Sequence, residues 1–156
     1  MKADDPRLEE SRKKALERIQ KVNDMILTVL KNHVVVEQFM NDFLDVSGRK
    51  HLRLTFDKKS KRCKGLNPAE IGPPIWKVLD AANTLRNKIA HTLDQAQIQS
   101  KMDELRTAFL AALMPAQAKG MKELDDVRIA GEAFALCGAY LVAATDAARA
   151  RRATPS

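Results

Sequence analysis

The sequence is poor in cysteine, glycine and proline. Its 156 residues include 2 Cys, 6 Gly and 6 Pro. Two cysteines cannot build a disulfide scaffold or a zinc site by themselves, and so little Gly and Pro excludes collagen-like and low-complexity proteins. We therefore expect one globular domain with reduced thiols, in the cytoplasm.

Aromatic residues are also scarce, at 4% of the chain. The core must then consist of Leu, Ile, Val, Ala and Met, which suits helices better than a β-sandwich. Apolar residues recur every three to four positions along most of the sequence. The pattern predicts an all-α, up-and-down bundle of four to five helices, with one domain over residues 1–151 and a disordered tail over 152–156.

Long apolar runs are absent as well. The longest uncharged stretch in the apolar C-terminal part is Ala133–Thr145. That stretch is well short of the ~20 residues that a membrane-spanning helix needs. The N-terminus has no apolar segment of the kind found in secretory signals. We expect no membrane association.

The helical pattern divides the chain into five segments. The first is one long helix or two nearly collinear ones, and its apolar stripe has one polar member, His33, which we expect to be hydrogen-bonded at the edge of the core. Leu52, Leu54 and Phe56 alternate as in a strand, but the sequence offers no second strand to pair with them. The predicted helices are residues 8–44, a short basic helix from about Phe56, 74 to about 91–93, one capped by Asp94 and ending before Pro115, and 121–151.

The last predicted helix is apolar on two faces. One face can pack in this domain, and the other can pack against a second subunit, because Gly131, Gly138 and many alanines permit close approach of another helix. The alternative is a central helix wholly inside one bundle. A homodimer through this helix is the favoured interpretation.

Positive charge is concentrated in one segment. The chain carries 27 Lys and Arg against 20 Asp and Glu, a net charge of +7, and residues 47–65 alone hold eight cations against one acid, Asp57. This segment is either a solvated loop or a surface that binds phosphates. On the second interpretation RNA is the partner, and the RNA-binding residues are Arg53, Lys58, Lys59, Lys61, Arg62 and Lys64.

Several catalytic signatures are missing. The sequence contains no GxxxxGK[ST], GxGxxG, HExxH, GxSxG or CxxC motif. Its three histidines, His33, His51 and His91, make a metal site from one chain improbable, so we expect no metal and no cofactor. Cys63 lies between two cations that favour its thiolate, but no histidine is placed to pair with it.

One stretch stands out, Leu85-Arg-Asn-Lys-Ile-Ala-His91. It follows Leu54-Thr-Phe-Asp-Lys-Lys, Gly65-Leu66 and Trp76-Lys-Val-Leu in the chain. Over residues 52–93 this layout resembles the HEPN superfamily, whose motif is an arginine, four to six residues and a histidine. The resemblance implies an all-helical domain, an endoribonuclease that needs no metal, a composite site at a homodimer interface, and a toxin–antitoxin or phage-defence setting with an antitoxin or regulatory protein as a partner.

The residue types suit RNA cleavage independently of the resemblance. His91 titrates near neutrality and can transfer protons, Arg86 can clamp a phosphate through two bonds, and Asn87, four residues before His91, can orient the imidazole or bind RNA. Arg86 lies about 140° around the helix from His91, so the two flank a site rather than stack. The alternative is that these side chains only tie helices together and the protein is a binding or regulatory module.

Overall fold

The computed structural model describes residues 5–154, and these residues form seven α-helices and no strand. The all-α prediction is confirmed, but the described residues contain more helices than the four to five expected. The helices are α1 (Pro6–Gln20), α2 (Asp24–Val46), α3 (Phe56–Gly65), α4 (Pro73–His91), α5 (Gln95–Ala112), α6 (Pro115–Met121) and α7 (Asp126–Ala153).

Local capping explains the extra helices. Asn23 accepts a hydrogen bond from the Ile26 amide at 3.0 Å and so begins a new helix, which separates α1 from α2. Pro115 opens the short α6, which the sequence pattern did not reveal. Asp94 caps α5 as predicted, accepting from the Gln97 amide at 3.0 Å.

Four long helices, α2, α4, α5 and α7, enclose the core. The most extensive contacts are α2 with α7 and α4 with α5, and the short α3 packs across α2 and α4. Buried Leu, Ile, Val, Ala and Met side chains fill the interior, with few aromatics, as the composition requires. The largest fully buried side chains are Phe109, Phe134, Ile26, Met40, Leu44, Leu79, Leu85, Ile98, Met102, Leu105, Ile129 and Leu141.

Helix α1 differs from the others because it does not join the core. None of its 15 residues is buried, and Leu16 and Ile19 are 42% and 64% exposed. The half-buried Val22 packs against the core and anchors the chain between α1 and α2. Helix α1 is therefore an arm that extends from the bundle. Isolated helices of about 12–15 residues are only marginally stable in water.

Helix α7 is long and apolar enough to cross a membrane, with a mean hydropathy of 1.5 over 18 residues, but a core helix passes the same test. Nine of its residues are buried in the bundle, as in a core helix. At Gly138 an added Cβ would lie 3.0 Å from the Phe39 ring, so glycine permits the close approach of α2. The helix runs to Ala153, two residues into the predicted tail, whose residues 155–156 lie outside the described part of the chain.

Candidate functional site

The last two turns of α4 carry the Arg86–His91 motif. His91 is the final residue of the helix and is exposed, as is Asn87, whereas Arg86 is half-buried. Asp80, Thr84, Asn87 and His91 lie on one exposed face, as their spacing predicted. The buried face of α4 holds Ile75, Val78, Leu79, Ala82, Leu85 and Ile89, which fixes the rotation of the helix about its axis.

His91 lines an open groove of about 520 Å³ at the C-terminal end of α4. The end of α1 also lines this groove, so that two cations, Arg18 and Lys21, border it together with His91. The lining residues are Arg18, Lys21, Ile89, Ala90, His91, Thr92, Leu93 and Asp94. The sequence analysis missed Arg18 and Lys21, because 70 residues separate Lys21 from His91 and no local pattern joins them.

Arg86 and Asn87 do not line this groove. Arg86 instead lies close enough to His33 of α2 to disfavour the charged form of that imidazole. Five residues of helix separate Arg86 from His91 by about 140° and about 7.5 Å along the axis. Among residues 5–154, no hydrogen bond joins the side chains of Asn87 and His91, and Arg86 forms no ion pair.

His33 is buried between α2, α3 and α4. Its Nε2 lies 3.1 Å from Asn83 Oδ1, and its ring stacks on Phe56 with centroids 4.0 Å apart. The expected hydrogen bond at the core is therefore confirmed. Burial lowers the pKa of His33, and the Arg86 charge lowers it further, against the opposing effects of the Asn83 hydrogen bond and the Glu37 carboxylate.

Lys59 is buried, although we predicted it to bind RNA. Its side chain is buried beneath α2, and Nζ lies 2.8 Å from Glu37 Oε1. A lysine held in this way is not free to contact RNA. The prediction for this residue is wrong because Lys59 lies three residues after Phe56 and four before Cys63, on the face of α3 that turns inward.

The other predicted RNA-binding residues are exposed. Lys58, Lys61, Arg62 and Lys64 lie on α3, and Arg53 lies in the preceding loop. We call these five residues the basic surface. The loop has a defined conformation, because Arg62 Nη1 donates to the Lys50 carbonyl at 2.7 Å and His51 lies 2.8 Å from Asp45. Lys61 also pairs with Asp57 at 2.7 Å, an exposed contact of little energetic weight.

Both cysteines are free and buried. Burial raises the pKa of Cys63 and of Cys137 to about 12. The neighbouring cations therefore do not produce a reactive thiolate at Cys63, since the side chain turns into the core. Within residues 5–154, no group of three or more His, Cys, Asp or Glu side chains could hold a metal ion.

The buried His33 predicts a pH dependence of stability. Its folded-state pKa lies below the ordinary 6.5, so the unfolded chain binds this proton more readily and acid favours unfolding. The contribution of His33 is complete above about pH 6.5 and is lost as the pH falls from there to the lower folded-state pKa. Urea unfolding at about pH 7.5 and about pH 5 measures it, with His33→Gln as the control. An equal pH dependence in both proteins would contradict the prediction.

The basic surface predicts a salt dependence of RNA binding. Replacing Lys58, Lys61 and Lys64 by Gln removes three phosphate contacts, so the plot of log affinity against log salt for single-stranded RNA should become less steep by about 2. The control replaces three exposed cations elsewhere, Lys119, Lys122 and Arg128. An unchanged slope in the first variant would show that the surface is only solvated.

The chain matches no protein-family model, no curated protein and no solved structure. The groove at His91 and the basic surface are therefore the features that bear on its function.

Proposed function

We propose that the protein is an endoribonuclease of the HEPN type, which cleaves RNA without a metal ion and acts in a toxin–antitoxin or phage-defence system. One observation carries the proposal. The histidine of the Arg86–His91 motif is exposed at the end of α4 and borders an open groove with two cations, where an RNA phosphate can reach it.

The proposed reaction uses the RNA's own 2′-hydroxyl as the nucleophile. The 2′-oxygen attacks the adjacent phosphorus and loses its proton to a base, while the bond from phosphorus to the 5′-oxygen breaks and an acid protonates that oxygen. The products are a 2′,3′-cyclic phosphate and a 5′-hydroxyl. Because the nucleophile is part of the substrate, the enzyme supplies proton transfer and positive charge.

Each motif residue has a role that its chemistry allows. His91 transfers protons, since an imidazole can act as a general base or a general acid. Arg86, which does not line the groove, carries a permanent positive charge and can bind another phosphate of the RNA through two nitrogens. Asn87, exposed one turn before His91, is free to bind the substrate. The basic surface then holds the RNA backbone. Asp80 of α4 lies near Lys61 and Lys64, which places that surface roughly 16 Å along α4 from His91.

One histidine cannot serve as base and acid in the same step, so the proposal includes a homodimer. An apolar groove between α2 and α7, which includes Val35, Phe39, Ala139 and Val142, offers a surface for a second copy. Val35 is 42% exposed and Val142 is 40% exposed, and both lie in this groove. Neither Arg86 nor His91 lines the apolar groove between α2 and α7. To bring the two His91 side chains together, the contact between the two copies must therefore continue from that groove towards the end of α4.

A second candidate function is a binding module that recruits RNA or a protein without cleaving it. The observation in its favour is the direction of Arg86, which lies towards His33 rather than beside His91. On this interpretation Arg86 contributes to helix packing and an antitoxin or regulatory protein remains a possible partner. The basic surface supports RNA binding under both candidates.

The first test of the proposal is cleavage by single variants. His91→Ala should lower the rate by roughly 10²–10⁴-fold, the usual contribution of a general acid or base. Arg86→Lys should also lower it, because an ammonium group does not reproduce the planar clamp. Activity should persist in EDTA. The measurement is single-turnover cleavage of a labelled RNA, with the cyclic phosphate identified by mass spectrometry.

The matched control for this test is His51→Ala. His51 is a histidine of the same chain that pairs with Asp45 and lies outside the groove, so its removal should leave the cleavage rate unchanged. Neither His91 nor His51 is a core residue, and circular dichroism checks that both variants fold. Normal cleavage by His91→Ala, or no cleavage of any RNA by the wild type, would favour the binding module.

The second test concerns the dimer. Light scattering at tens of micromolar should give twice the 17.4 kDa chain mass for the wild type. Ala139→Glu places a charge in the apolar groove and should give a monomer, whereas Ala116→Glu on the exposed α6 should not. A monomeric wild type would remove the composite site from the proposal.

A further inference from the structure

We propose that Arg18 and Lys21, at the end of the α1 arm, hold the phosphate on which His91 acts. This inference rests on the proposed function and names a phosphate-binding site that the Arg86 motif does not supply. Both side chains border the groove at His91, and Arg86 does not. Arg18 and Lys21 are three residues apart in the last turn and C-cap of α1, so they point to the same side of the chain.

The backbone that carries the two cations is attached to the core although α1 itself does not join it. The Lys21 amide donates to the Arg18 carbonyl at 3.2 Å, which closes the last turn of α1. The next residue, Val22, packs against the core, and Asn23 caps α2. The end of the arm is therefore attached to the bundle beside α4, while the rest of α1 extends away from it.

The side chains that line the groove carry more positive than negative charge. Among residues 5–154, Arg18, Lys21 and His91 form no ion pair. Asp94 is the one acid in the lining, so the two cations exceed it by one formal charge, and its Oδ1 accepts from the Gln97 amide at the N-terminus of α5. The C-termini of α1 and α4, at about −0.5 charge each, offset that excess, so direct contact with Arg18 and Lys21, rather than the net charge of the groove, binds the anion.

A phosphodiester fits this arrangement better than a carboxylate-bearing protein does. The groove opens to solvent and is lined by two long cations and an imidazole. Positive charge and a proton-transfer group beside the same phosphate are what phosphoryl chemistry uses. In this arrangement Arg18 and Lys21 bind the non-bridging oxygens, and His91 faces the 2′- or the 5′-oxygen.

The test measures binding at the groove alone. The probe is a 2′-O-methyl dinucleotide, which contains a single phosphodiester and cannot be cleaved through its 2′-oxygen. Its dissociation constant is read from the imidazole resonance of His91 in NMR titrations, which does not report binding at the basic surface. The variant is Arg18→Gln with Lys21→Gln. Its control, Arg12→Gln with Lys13→Gln, removes the same charge from the other side of α1.

We expect the first variant to weaken binding by about tenfold, the effect of losing two exposed charged contacts, and the control to change it by less than about twofold. That result supports the site whether or not the wild type cleaves RNA, and a wild type that binds but does not cleave contradicts only the proposed function. Equal affinities in both variants, or no shift of the His91 resonance in the wild type, would overturn the inference. Cleavage by the wild type alongside either outcome would leave the proposed function standing.

Discussion

The burial of one face of α4 is the constraint on which the candidate site depends. Ile75, Leu79, Leu85 and Ile89 are fixed in the core, so the rotation of the helix is set along its whole length. Because successive residues are rotated by about 100°, the direction of every other side chain around the helix is set as well. Asn83 and Arg86 face α2, and His91 faces solvent at the free end. The same packing therefore leaves Asn83 and Arg86 half-buried and His91 exposed.

The phase of α4 is the part of the site that the sequence predicts best. The 3–4 spacing of its apolar residues identifies the buried face, and the exposed stripe of Asp80, Thr84, Asn87 and His91 follows from it. The Asp94 cap of α5 was predicted equally well, because its side chain accepts from an amide three residues away, whereas the Asn23 cap of α2 was missed. These features depend on interactions between residues a few positions apart, so they can be predicted from a short stretch of sequence.

Features that depend on the meeting of distant segments could not be predicted. The approach of Arg18 and Lys21 to His91 follows from the angle at which α1 leaves α2, and no residue spacing encodes that angle. Lys59 belongs to the same basic segment as the exposed lysines, yet it is buried against Glu37 of another helix. A charge-rich segment reveals that cations are present but not which of them are neutralised by acids elsewhere in the chain.

The three histidines show how the environment divides roles among identical side chains. His33 is stacked on Phe56 and bound to Asn83, and its lowered pKa keeps it neutral in the core. His51 is engaged with Asp45 and fixes a loop. His91 has neither a stacked ring nor an acid partner among the described residues, and it borders a groove with two cations. A proton-transfer group must reach its substrate and exchange its proton, and of the three histidines only His91 is free to do both.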